Sequence, residues 1–158
     1  MPRTYATGPV ELDAVVAYVL GNYPDVATAS VNVRAPLGRV TGQESLLVQI
    51  FSNLLGNAVK FASKDRTPVI DVWTEPREEG LLHIVVRDNG IGIPCEHWER
   101  IFLPFERLHP AEAWPGTGMG LAIVKKAVER LGGSVGVEPD PNQGSRFWFE
   151  LPEVPPAP

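Results

Sequence analysis

Gln49 to Ala62 reads QIFSNLLGNAVKFA. At about 100° of rotation per helical residue, Leu47, Ile50, Leu54, Ala58 and Phe61 share one side, and Asn53, Asn57, Lys60 and Lys64 line the neighbouring edge. One helix therefore carries a core face and, beside it, a row of amides and ammonium groups. Such a row suits the wall of a cleft that holds an anion with its metal. An ordinary solvated face is the competing reading.

Just before this stretch, Thr41-Gly42-Gln43-Glu44 has the spacing of a capping box, which predicts that this helix starts there and runs to about Ala62. Upstream, Val10 to Leu20 has Leu12, Val15, Val16, Val19 and Leu20 at helical spacing. Ala29 to Arg34 alternates as a strand, and Pro36 to Val40 suggests a short second one. Downstream, Val69 to Glu75 and Leu81 to Arg87 form a hairpin with one apolar side, turning at Pro76 to Gly80. Asp88 to Pro94 (DNGIGIP) breaks the pattern, and Pro94 can open a short helix over Cys95 to Arg100. Glu106 to Gly116 reads as a mobile loop. Gly118 to Leu131 is a helix stopped by Gly132-Gly133, and Val135 to Glu138 and Ser145 to Leu151 are the last strands. Grouped this way, the elements predict an α+β fold: a mixed sheet of about five strands with three main helices on one face.

With 158 residues, one domain can bury roughly 70% of the surface its unfolded chain exposes. The expected boundaries are a linker over 1–8, the domain over 9–152 and a disordered Pro-rich tail over 153–158. The single Cys95 makes no internal disulfide and offers no metal cluster, which fits a reducing, cytoplasmic setting. No apolar run approaches the roughly 18 residues of a spanning helix, so no direct membrane contact is expected. Net charge is −5 with scattered Lys and Arg, which argues against nucleic acid as a partner.

Asp88 ends a strand just before flexible positions, so its carboxylate can sit at the bottom of a cleft while Gly90 and Gly92 let a ligand approach the main chain. An ionised carboxylate only accepts hydrogen bonds. It accepts from an amine such as adenine N6 and repels the oxygen that guanine carries there. Taken alone, Asp88-Asn89-Gly90 reads first as ordinary turn chemistry. Gly116-Thr117-Gly118-Met119-Gly120 opens into a helix whose free N–H groups favour phosphate, although close packing also selects glycine. Asn57 can offer an oxygen to Mg²⁺, Asn53 can hold a second oxygen or a water, and Lys60 supplies a point charge. Phe102 and Phe105 read first as core and second as a lid hinge, and Arg107 as exposed or as a phosphate contact. His83, His97 and His109 have no acid or base at motif spacing and are read as non-catalytic.

Taken together and in order, SNLLGNAVKF, VRDNGIGIP, IFLPFERL, GTGMGLAIV and GSRFWFELP resemble the N, G1, F, G2 and final G boxes of the catalytic ATP-binding (HATPase_c) domain of sensor histidine kinases. These belong to the GHKL group with Hsp90, DNA gyrase B and MutL. The lid resembles that of phytochrome-like kinases. The resemblance implies the Bergerat fold, a two-layer α/β sandwich with a mobile ATP lid, and ATP and Mg²⁺ as cofactors. By position, Asn57 resembles the Mg²⁺ ligand, Asn53 its supporting amide, Lys60 a phosphate contact, Asp88 the adenine acceptor and Arg107 the lid arginine near the γ-phosphate. Gly90 and Gly92 would shape the adenine pocket, and Gly116, Gly118 and Gly120 cradle phosphates. Phe61, Ile93, Phe105, Thr117, Met119, Leu121 and Ser145 complete the implied nucleotide-binding set.

Two departures matter. Gln43 stands where the family commonly has Asp, and no helix bears a phosphoacceptor histidine with an adjacent acid. The resemblance thus implies the ATP half of a phosphotransfer, from a fragment of a larger kinase, to a histidine on a dimerisation domain and then to a response-regulator receiver domain. The alternatives are a regulatory ATP-binding module without phosphotransfer and a serine/threonine kinase of the anti-sigma-factor type.

Overall fold

The computed structural model describes residues 7–62, 65–93, 96, 100–103, 120–139 and 144–155. In chain order these form β1 (Gly8–Glu11), α1 (Leu12–Asn22), β2 (Ser30–Val33), β3 (Arg39–Gly42), α2 (Glu44–Lys60), β4 (Val69–Pro76), β5 (Leu81–Asp88), α3 (Gly120–Arg130), β6 (Ser134–Pro139) and β7 (Ser145–Val154). The strands make one seven-stranded sheet in the order β1-β3-β7-β5-β4-β2, with β6 also paired to β7. The β2–β4 pairing is parallel and the others are antiparallel.

Seven strands replace the expected five or so: β1 takes in Val10 and Glu11, which read as the start of a helix, and the short strand suggested over Pro36 to Val40 is β3, shifted to Arg39–Gly42. They pair with one another, and β3 then adds to Glu153 and Val154 at the end of β7. Residues 153–154, expected in a disordered tail, are therefore strand. Arg39 extends the closure by donating from Nη2 to the Pro155 carbonyl at 2.7 Å.

The capping box does not form. Thr41 and Gly42 belong to β3, and Gln43 occupies the N-cap position of α2 without a side-chain cap bond. The reason is pairing: Gly42 and Thr41 stand in register with Gly8 and Pro9 of β1, so their main chain is strand and the helix begins directly after it. Leu47 is fully buried over Gly42, where a Cβ would stand 2.8 Å from its Cδ2. At its other end, α3 stops as expected: Gly132 has φ +82°, and the Gly133 and Gly132 N–H groups donate to Val128 and Glu129 at 3.0 Å, closing a Schellman-type turn.

The core lies between the helices and one sheet face. From α2, Leu47, Ile50, Phe51, Leu54, Leu55 and Ala58 are buried with Ile84 and Val86 of β5, Phe147, Phe149 and Leu151 of β7, and Val124 and Val128 of α3. Phe51 meets Phe149 edge-to-face at 5.6 Å. The other sheet face has a small layer of its own, which the one-sided hairpin reading did not anticipate. Its cross-strand rows are Asp71/Arg87/Arg146, Trp73/Val85/Trp148 and Glu75/His83/Glu150. Arg34 and Arg87 lie 4.6 and 5.2 Å from the Trp73 ring. His83 is buried, stacks on Trp148 at 5.1 Å and pairs through Nδ1 with Glu150 at 2.8 Å. Its acid partner is 67 residues away in sequence, out of reach of a spacing argument.

Candidate nucleotide-binding site

The site is built where β5 ends, β7 begins and α2 runs past the start of α3. Asp88, the last residue of β5, is 8% exposed and stands in register with Ser145, the buried first residue of β7. The Gly90 N–H donates to Asp88 Oδ1 at 2.8 Å, which fixes the carboxylate's rotation. A Cβ on Gly90 would stand 2.5 Å from the Phe61 carbonyl oxygen and 2.9 Å from Asp88 Oδ1. Gly90 is thus the spacer that lets the loop lie against the end of α2, an approach sealed by Ile91 N–H donating to the Phe61 carbonyl at 3.2 Å. Gly92 takes φ +79° and faces the Gly144 backbone, 3.4 Å from where its Cβ would be.

Further along α2, Asn53 and Asn57 are half-buried, one turn apart on the same edge. Asn53 Nδ2 donates to the Gln49 carbonyl at 2.7 Å, and its Oδ1 would lie 3.3 Å from a Cβ on Gly120, the first residue of α3. The structure thus joins the amide row to a helix start. Leu121, next in α3, is buried. Eight residues, roughly 12 Å of helix, separate this end of the site from Phe61 and Asp88. Phe61 itself is half-buried rather than core. Lys60 is exposed, with Nζ 6.0 Å from the Phe61 ring. Ile93 is half-buried against the core. Phe105, Arg107, Gly116, Thr117, Gly118 and Met119, together with the expected mobile lid and all of the expected short helix but residues 96 and 100, lie outside the described residues.

The donor set fits a nucleotide with its metal. A buried carboxylate with glycines around it suits a base amine, and a half-buried amide facing a helix start suits phosphate. Among the described residues no three of His, Cys, Asp or Glu gather as a metal cluster. Asn53 and Asn57 carry amide oxygens that could hold Mg²⁺.

Residues 42–155 match the family model of histidine kinase-, DNA gyrase B-, and HSP90-like ATPases. The chain belongs to this family. Among relatives of this ATPase domain, the phytochrome-like protein Cph1 of Synechocystis is 43% identical over 113 residues, which are 72% of this chain and 15% of that protein. The sensor histidine kinase AruS of Pseudomonas aeruginosa is 46% identical over 113 residues, 70% of this chain and 11% of its own. The chain thus spans well under a quarter of these relatives. The mycobacterial sensor histidine kinase MprB superposes with TM-score 0.82 at 28% identity, covering 95% of this chain and 99% of that one. Full-length ShkA, solved in complex with AMPPNP, gives 0.78 at 29% identity over all of this chain and 33% of its own. The domain is therefore of the sensor histidine kinase type and, in fold, a two-layer sandwich. No helix among the described residues is long and apolar enough to cross a membrane.

Two residues at the candidate site carry no role in the sequence analysis. Gly144 packs against the main chain of Asp88 and Asn89 and has φ +103°. Its signal was present, since it opens the last quoted motif. Asn89 was read as turn chemistry, but its side chain bonds the Val69 N–H and the Thr67 carbonyl. That pairing depends on how the sheet folds back and has no signature in the local sequence.

Proposed function

We propose that this domain binds Mg²⁺·ATP and presents its γ-phosphate to a histidine on a separate phosphoacceptor domain, from which the phosphoryl group passes to a receiver-domain aspartate. The observation that carries the reading is the buried Asp88 carboxylate, oriented by the Gly90 N–H; Asn53 of α2, whose Oδ1 lies beside Gly120 at the start of α3, supports it. In this reading Asp88 accepts from adenine N6, with Ser145, Gly90 and Gly92 around the base and Phe61 and Ile93 beside the nucleoside. Asn57 and Asn53 would hold Mg²⁺ through their amide oxygens, and the ion would supply positive charge against the phosphates. Lys60 adds a positive charge on the phosphate side. From sequence resemblance, Arg107 approaches the γ-phosphate, and Phe105, Gly116, Thr117, Gly118, Met119, Gly120 and Leu121 complete the phosphate end. Rate acceleration then comes from positioning and charge neutralisation.

The test supplies a histidine-bearing helical dimerisation domain in trans with γ-labelled ATP. An acid-labile label on that domain is expected. Tight ATP binding with no label in the presence of active partner would overturn phosphotransfer, and an acid-stable label would indicate hydroxyl phosphorylation instead.

A further inference from the structure

The sheet pairing of β4 with β5 ends at Ile70 opposite Asp88. One step further, Val69 would face Asn89, but the chain has already turned away. What continues the ladder is the Asn89 side chain. Its Oδ1 accepts from the Val69 N–H at 2.9 Å, and its Nδ2 donates to the Thr67 carbonyl at 3.1 Å. The carboxamide has the donor and acceptor of a peptide unit, and it takes the place of one.

We infer that Asn89 is a positioning residue for base recognition: by finishing the β4–β5 ladder with its side chain, it frees the main chain to leave the sheet immediately after Asp88 and so sets that carboxylate. The inference rests on the nucleotide reading of Asp88. Both next N–H groups are put to other use, Gly90 on Asp88 Oδ1 at 2.8 Å and Ile91 on the Phe61 carbonyl at 3.2 Å. Without the side-chain bonds, Val69 and Thr67 would have to recruit main-chain partners from the segment that now turns back to hold Asp88.

A turn-forming role does not account for Asn89. Asparagine is favoured in turns partly because it tolerates positive φ, yet Glu79 is the non-glycine residue with positive φ among those described. Chemistry narrows the choice further. Aspartate accepts but does not donate when ionised, and a serine hydroxyl is too short to bridge both sites.

The test compares a non-hydrolysable ATP analogue with the same analogue built on purine lacking the 6-amino group, by titration calorimetry. Wild type is expected to prefer the amino form by about tenfold or more, and Asn89→Ala to reduce that preference to about threefold or less, with faster amide exchange at Val69. Thr67→Ala should leave the preference unchanged, because the partner there is a main-chain carbonyl. Asn89→Ser, which can keep at most one of the two bonds, is measured by the same criterion if the alanine variant does not fold. A wild type without amino preference overturns the nucleotide reading of Asp88. A wild-type preference that survives in the Asn89 variants overturns the positioning role alone.

Discussion

Gly144 packs so closely on Asp88 that a Cβ at 144 would overlap the Asp88 carbonyl oxygen. The contact locks the start of β7 against the end of β5, where Ser145 and Asp88 are in register. Two motifs more than fifty residues apart in sequence therefore form one wall of the site. Gly144→Ala must shift this contact and also hold an L side chain at φ +103°. A cost of about 2 kcal/mol is expected, read as a fall of roughly 5 °C in thermal midpoint, together with weaker nucleotide binding.

Asp88→Asn exchanges an acceptor-only carboxylate for an amide that can turn its donor toward the base amine. Affinity for an ATP analogue should fall by roughly tenfold to a hundredfold, the worth of one charged hydrogen bond. GTP, already repelled by the carboxylate, should change little or gain. Parallel titrations check this; equal loss for both nucleotides would assign Asp88 a purely structural role.

Phe149 is fully buried and meets Phe51 edge-to-face, so it joins β7 to the helix that carries the amide row. Phe149→Ala should cost about 3–5 kcal/mol in denaturant unfolding. A loss under 1 kcal/mol would mean that the helix layer is not seated on the sheet in this way.

On the opposite sheet face, the Trp73 indole N–H donates to Glu75 at 2.8 Å. This bond, opposed by partial burial and aided by Arg77, His83 and Arg146, holds the Glu75 carboxyl below its ordinary value of 4.5. A lowered folded-state value means that the ionised form stabilises the fold above that pH and that the contribution is lost as pH falls through the lowered value. Wild type should thus exceed Glu75→Gln in stability near pH 7, and the gap should narrow on acidification below about pH 4.5. Unfolding curves from pH 3 to pH 7 measure it, and a gap that widens on acidification would contradict the assignment.

Much of this was legible because it is written in local pattern. The helical spacing of Leu47, Ile50 and Leu54 placed α2, and Gly132-Gly133 marked the end of α3. What stayed hidden depends on residues distant in sequence. The four-residue strand β1 is defined by its partner β3 rather than by period, and the bounds of β3 are set by its pairing with β1 and the end of β7. Thr41 and Glu44 have the spacing of a cap, but the pairing of Thr41 and Gly42 with β1 overrides it. Candidate site residues with distinctive local chemistry, Asp88 and Gly90, were found and are brought together. Gly144 and Asn89 matter through what they touch across the sheet, and a linear reading sees only a glycine and a turn.

If the amide edge of α2 and the buried carboxylate of β5 form one Mg²⁺·ATP site, calorimetric titration of a non-hydrolysable ATP analogue into wild type and Asn57→Ala, each with and without Mg²⁺, must show it. Wild type should bind with an affinity that Mg²⁺ strengthens, and Asn57→Ala should lose most of that Mg²⁺ dependence while keeping its thermal midpoint. No binding to folded wild type, or an undiminished Mg²⁺ effect in the variant, would contradict it.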